Sequence, residues 1–199
     1  MINNKDRENS AISKEEMTIF ASGMKDRKLL NIELGRMSAE QYRSRETGSG
    51  LVVVLDNIRS AHNVGSAFRS ADSFGVDKVW LCGISAVPPS PEIHKTALGA
   101  EDSVPWEHCA DTLEAIRQLR AEGYRILSVE QTEHSLKLGR DFRRRAGQKL
   151  ALIFGNEVDG VRQDVVDESD AALEIPQSGT KHSLNVSVAV GVVLWELVR

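Results

Sequence analysis

The sequence predicts an α/β fold built on a parallel sheet. Three observations carry that expectation. Short apolar runs recur as continuous blocks, LVVVL, KVWLC, YRILSVE, KLALIFG and ALEIP, and helical patterns separate them. Across 199 residues, 41% are hydrophobic and 27% charged, the balance of one globular domain of ordinary size. Strands that are apolar on both faces need helices above and below them.

Residues 1–50 are expected to form an N-terminal tail and short basic extension, and residues 51–199 the single domain. The first fifty residues are polar, densely charged with both signs, and end in ETGSG; roughly the first twenty read as tail. From Met24 the composition turns basic (Lys25, Arg27, Lys28, Arg36, Arg43, Arg45), with Leu29, Leu30, Ile32 and Leu34 available for a short helix docked on the main domain.

The first strand starts at Leu51, and a helix from Asn63 to Phe74 follows. Asn63 is its expected N-cap, Val64, Ala67, Phe68, Ala71 and Phe74 form its apolar stripe, and Gly75 stops it. Arg69 lies opposite that stripe, at a turn of about 100° per residue, and so faces a ligand or solvent. KVWLC is the next strand. A Pro-rich loop, a helix from Asp111 to Ala121 and the strand YRILSVE come after it.

In LALIFGNEVDGV a buried strand runs into Gly155, Asn156, Glu157 and Gly160 and then into a helix. Gly155 is expected to let the backbone approach a flat ligand closely. ALEIP is the last strand, and SGTKHSLNVS leads into a final helix that Ser183 is expected to cap. That helix is apolar nearly all round (Val186, Val188, Ala189, Val190, Val192, Val193, Leu194), so its own sheet or a second subunit must cover it. Ligands of such sheets gather beyond the carboxyl ends of the strands, here the loops after Leu55, Cys82, Glu130, Gly155 and Pro176.

Several classes are disfavoured. Cys82 and Cys109 lack paired metal-site spacing and read as buried thiols, and the five His residues have no ligand-like spacing, so no metal is expected. No apolar run reaches membrane-spanning length and no signal-type start is present, so the expected compartment is the cytoplasm. Walker and dinucleotide glycine spacings are absent. A formal net charge of -4 leaves room only for a local basic face.

NVGSAFR, FGNEVDG and the IPQSG…SLNVSVA block occur in that order, and together they resemble the signature blocks of the SpoU/TrmH family of S-adenosylmethionine-dependent RNA ribose methyltransferases, within the SPOUT superfamily. The resemblance covers Leu51 to Arg199. It implies a SPOUT fold with a C-terminal deep trefoil knot, a homodimer formed through the C-terminal helix region, and S-adenosyl-L-methionine as cofactor. Thr132, Gly155, Asn156, Ile175, Ser183 and Leu184 would hold the cofactor. Arg69, Asn63, Glu157, Ser183 and Asn185 would be catalytic.

Arg69 has two candidate roles: a base that takes the ribose proton, or a clamp on the adjacent phosphate. A guanidinium gives up its proton only above about pH 12, so the base role is costly and the clamp is an equally physical alternative. Candidate RNA contacts are Arg59, the basic run at Arg143, Arg144 and Arg145, and Lys181. The modest size favours tRNA over rRNA. A base methyltransferase of the same superfamily and a non-catalytic RNA-binding or ribosome-assembly protein are the rival readings.

Overall fold

The computed structural model describes residues 27–45, 48–180 and 182–199. The tail expected over the first twenty residues, Lys25 and the candidate RNA contact Lys181 lie outside the described residues.

Seven strands form one sheet: β1 Leu51–Asp56, β2 Lys78–Cys82, β3 Trp106–Cys109, β4 Arg125–Val129, β5 Leu136–Lys137, β6 Leu150–Phe154 and β7 Ala171–Glu174. Their order is β3-β2-β1-β6-β4-β7-β5, and every neighbouring pair is parallel. The helices are α1 Ala39–Arg43, α2 Ala61–Ser73, α3 Pro91–Ala97, α4 Ala100–Ser103, α5 Thr112–Ala121, α6 Gln163–Asp167 and α7 Val186–Val198.

All six residues of β1 are buried. Leu51, Val53 and Leu55 pack with Val64, Phe68 and Ala71 of α2 and Val190, Val193 and Leu194 of α7, whereas Val52 and Val54 pack with Ile116 and Leu119 of α5 and Val165 of α6. Alternate side chains of one strand thus fill two separate cores, which is why the run has no polar positions.

Two strands, β3 and β5, and three helices, α1, α3 and α4, escape the sequence patterns. β3 is an edge strand with exposed Glu107 and His108, and β5 has two residues, so neither shows an apolar run. The Pro-rich segment holds α3, where Pro91 occupies the first turn and the Ser90 hydroxyl accepts the Ile93 N–H at 3.4 Å. Proline fits a first turn because its missing N–H has no helical partner there. The expected caps also move. Ser60, not Asn63, caps α2, and Asn185, not Ser183, caps α7.

The chain divides into two compact units, Met1–Arg36 and Met37–Arg199. Within the first, the short helix expected around Leu29 to Leu34 is a single 3-10 turn, Asn31–Leu34, whose Glu33 carboxylate accepts the Leu30 N–H and pairs with Arg27 at 2.7 Å. Within the second, Tyr42 of α1 is buried and donates to the Val76 carbonyl at 2.8 Å. Arg45 covers the Tyr42 ring at 4.0 Å and pairs with Asp77 at 3.0 Å.

A Cβ on Gly65 would lie 2.1 Å from Thr96 Oγ1 and 2.4 Å from the Ile93 carbonyl oxygen, so α2 and α3 are in close contact and only glycine fits. α7 buries Val186, Val190, Val193, Leu194 and Leu197, but leaves Val188, Val192, Trp195 and Val198 exposed along its other side. Among the described residues no helix is long and apolar enough to cross a membrane.

Candidate functional site

Three loops at the carboxyl ends of β4, β6 and β7 enclose, with the start of α7, a cavity of about 430 Å³. Backbone hydrogen bonds to side chains sew the loops together. Beyond β6, the Asn156 side chain accepts the N–H groups of Val158 and Asp159, both at 3.0 Å, and its carbonyl accepts the Gly160 N–H at 2.9 Å. From the end of β4, the Glu130 carboxylate accepts the Val161 N–H at 3.0 Å and the Gln131 N–H at 2.8 Å. The Gln131 side chain donates to the His182 carbonyl at 2.6 Å, which ties the loop before α7 to the others.

Gly155 is the hinge of this arrangement, for a reason beyond the expected one. A Cβ there would lie 2.0 to 2.1 Å from the backbone of Gly160 and Val161. The loop's own returning segment makes a close approach here in addition to any that a ligand would make. Gly160 has φ of 68°, and a Cβ on it would strike the Glu130 carboxylate at 2.3 Å. Both glycines are therefore dictated by loop closure.

Beside the cavity, three residues far apart in sequence form a relay. The Asn185 side-chain oxygen accepts the Ser187 N–H at 2.9 Å and the Ser187 hydroxyl at 2.7 Å. Its amide then donates to Asn63 Oδ1 at 3.1 Å, and the Asn63 amide donates to the Glu157 carboxylate. Capping fixes which end of Asn185 carries oxygen, and that orientation propagates: each amide accepts from one neighbour and donates to the next. Asn63 is available for the relay because Ser60 does the capping of α2, accepting the Asn63 N–H at 3.3 Å.

The cavity wall combines apolar surface (Val129, Phe154, Leu173, Ile175, Ala189) with carboxylates from Glu130, Glu157, Asp159 and Glu174. Lys137 and the Ser135 hydroxyl hold Glu174 ionised, pushing its pKa below the ordinary carboxylate value. Thr132, Gly155, Asn156, Ile175, Ser183 and Leu184 all lie on this wall, together with Glu157. Glu130 and Glu174 were missed by sequence reasoning. The available signal was an acidic residue at the end of two of the three strands that reach the cavity, Glu130 directly after β4 and Glu174 closing β7.

Arg69 stands apart. Its side chain is exposed on α2 and lines a different hollow, with Ser66, Ser70 and Lys95 among its neighbours, so the structure does not bring it to the cavity with Glu157 and Ser183. Arg59, Arg143 and Arg145 are exposed. Arg144 is turned inward: its guanidinium donates to the Gln148 carbonyl at 2.8 Å and to the Ser49 carbonyl, and burial pushes its pKa below the ordinary arginine value. It closes a loop and offers little to an external phosphate. Among the described residues no group of three or more His, Cys, Asp or Glu is placed to hold a metal ion.

A parallel sheet with a ligand-sized cavity at its strand ends, rimmed by carboxylates and amides, defines the class as an α/β protein with its candidate site where the ligands of such sheets gather. The chain belongs to the SpoU rRNA Methylase family, whose family model matches residues 50–195.

Among its relatives is the 23S rRNA (guanosine-2'-O-)-methyltransferase RlmB of Xylella fastidiosa, 34% identical over 152 residues, or 76% of this chain and 59% of that protein. A solved AdoMet-bound rRNA methyltransferase from Sinorhizobium meliloti superposes with a TM-score of 0.68 at 28% identity, covering 78% of this chain and 58% of that one. A structure bearing on the 2-OH methylation of C/U34 on tRNA superposes with a TM-score of 0.65 at 26% identity, covering 73% of this chain and 92% of that one. The chain spans about three fifths of the curated relative's length, 59% of it.

Proposed function

We propose that the chain is an RNA methyltransferase that moves the methyl group of S-adenosyl-L-methionine to a ribose 2′-hydroxyl, with ribosomal RNA as substrate. The observation that carries this reading is that Glu157 belongs both to the cavity wall and to the Asn63 and Asn185 relay, so a cofactor site and a polar substrate site share an edge. The curated relatives are named for 23S rRNA, and this moves the expected substrate from tRNA to rRNA.

The residues fit the cofactor. Apolar walls suit an adenine ring, and four carboxylates suit a ligand carrying ammonium and sulfonium charges. When bound, S-adenosylmethionine supplies a methyl group on a sulfonium that departs as a neutral thioether. Thr132, Gly155, Asn156, Ile175, Ser183 and Leu184 are assigned to holding it. Asn63 and Asn185, locked by the relay, orient the ribose beside Glu157.

Arg69 is six residues along α2 from Asn63, a rise of about 9 Å and about 120° round the helix. The RNA strand wraps that side of α2, with the ribose at Asn63 and the flanking phosphate at Arg69. Arg69 then grips the phosphate through its fork and stabilises charge developing on the attacking oxygen. The exposed stripe of α7 is the surface through which two copies pair, and the C-terminal segment carries the deep trefoil knot that the family resemblance implies.

Methyl-labelled cofactor, offered with bulk rRNA and bulk tRNA in separate reactions and followed by digestion to nucleosides, tests the reading. Label in 2′-O-methylnucleosides from rRNA is expected. Label on a base would replace ribose chemistry with base chemistry, label in tRNA alone would restore the other substrate, and absence of both label and cofactor binding would leave an RNA-binding scaffold.

A further inference from the structure

Arg69 lines a second hollow, apart from the cavity at the strand ends. The hollow measures about 480 Å³ and lies between α2 and α3. Two cations, Arg69 and Lys95, line it, and no carboxylate does. Neither side chain has an ion-pair partner among the described residues, in contrast to Lys78, which pairs with Glu107, and Arg140, which pairs with Asp141. Four hydroxyls complete the lining: Ser66, Ser70 and Ser73 on one side of α2, and Thr96 on α3.

The two helices cannot slide past each other. Gly65 brings them into contact, and Thr96 Oγ1 donates to the His62 carbonyl at 3.0 Å. Lys95 is consequently held at a fixed position relative to Arg69, a point charge opposite a fork.

We propose that Lys95 is an RNA-binding residue that shares with Arg69 the phosphate flanking the methylated ribose, the Ser66 and Ser70 hydroxyls bonding its remaining oxygens. The inference rests on the RNA methyltransferase reading above. It assigns to Lys95 a sequence-independent role in substrate affinity and to the α2 and α3 pair the role of setting the strand's register.

Counterion release supplies a readout that a folding defect does not mimic. Affinity of the full chain for a labelled single-stranded oligoribonucleotide is measured by fluorescence anisotropy at several salt concentrations. One lost phosphate contact lowers the slope of log affinity against log salt by about 0.7, so the deficit of Lys95→Met relative to wild type shrinks about 2.6-fold between about 50 and 200 mM salt. Lys95→Arg is expected to keep the wild-type slope, and Lys95→Met to raise the KM for bulk rRNA while leaving cofactor affinity unchanged. Because Lys95 is exposed and bonds to nothing in the fold, the variants are expected to melt like wild type.

A wild-type slope and an unchanged KM in Lys95→Met would overturn the inference while leaving the enzyme reading intact. Failure of the wild-type chain to bind or methylate RNA at all would overturn the enzyme reading instead.

Discussion

Replacing Gly155 by alanine tests the geometry of the cavity at its tightest point. The added Cβ would meet the Gly160 carbonyl carbon, its oxygen and the Val161 nitrogen at 2.0 to 2.1 Å, where ordinary contact begins at 3.4 Å. These are backbone atoms, and the return segment of the loop must retreat by more than about 1 Å. Gly155 does not have a positive φ, so the cost is one of contact and not of backbone region. Overpacking of this kind costs about 1–3 kcal/mol. The retreat also breaks the Val161 N–H bond to Glu130 and the Gly160 N–H bond to Asn156, at about 0.5–1.5 kcal/mol each.

Together these give about 2–6 kcal/mol, or a fall in Tm of at least about 4 °C for a chain of this size. Cofactor affinity is expected to fall at least about tenfold, because the displaced segment is the cavity wall. Thermal unfolding and titration calorimetry with S-adenosylmethionine measure the two effects. Gly179→Ala, where a Cβ would meet nothing within 4 Å, is the neutral control. An unchanged Tm together with unchanged affinity in Gly155→Ala would refute the loop packing on which the site rests.

Asn63→Ala cuts the relay without touching the cavity wall; kcat for RNA methylation is expected to drop about a hundredfold at constant cofactor affinity, as steady-state kinetics will read. Arg69→Lys keeps the charge and discards the fork, so a loss of activity of the same order is expected, and near-normal turnover would remove the bidentate clamp from the mechanism. Arg144→Met should lower stability by about 1.5–3 kcal/mol in chemical denaturation and leave the salt slope of RNA binding unchanged, since its guanidinium serves backbone carbonyls.

Cys82 gives a pH dependence. Burial pushes its thiol from 9.0 up to about 12, so the unfolded chain loses that proton first, and stability declines as pH rises between those values. Cys82→Ala should flatten that part of the stability profile in denaturant titrations run across alkaline pH.

The central strands were legible because burial on both faces leaves unbroken apolar runs, and β1, β2, β4, β6 and β7 all lie where those runs are. β3 and β5 were not, since an edge strand with exposed Glu107 and His108 and a two-residue strand carry no such signature. The cavity residues were legible through their blocks, as Gly155, Asn156, Ile175, Ser183 and Leu184 show. Roles within the blocks were less so. Asn63 and Asn185 both precede or begin helices, and only the placement of Ser60 decides that one caps while the other is held inside a first turn. The separation of Arg69 from the cavity is a property of helix phase and of the neighbouring α3, and α3 was hidden behind prolines that read as loop.

The relay that joins residues 63, 157 and 185 spans 94 and 122 positions of chain. A ribosome synthesising this protein therefore makes the Asn63 and Glu157 segments before the third member exists, and the contacts that close the relay are among the costliest in loop entropy. Docking of α7 is expected to come late in folding, and termination anywhere before Asn185 leaves the sheet without the closed relay. A ligand that binds the cavity then stabilises only molecules in which the loop before α7 has been made, so its capture sorts them from shorter chains.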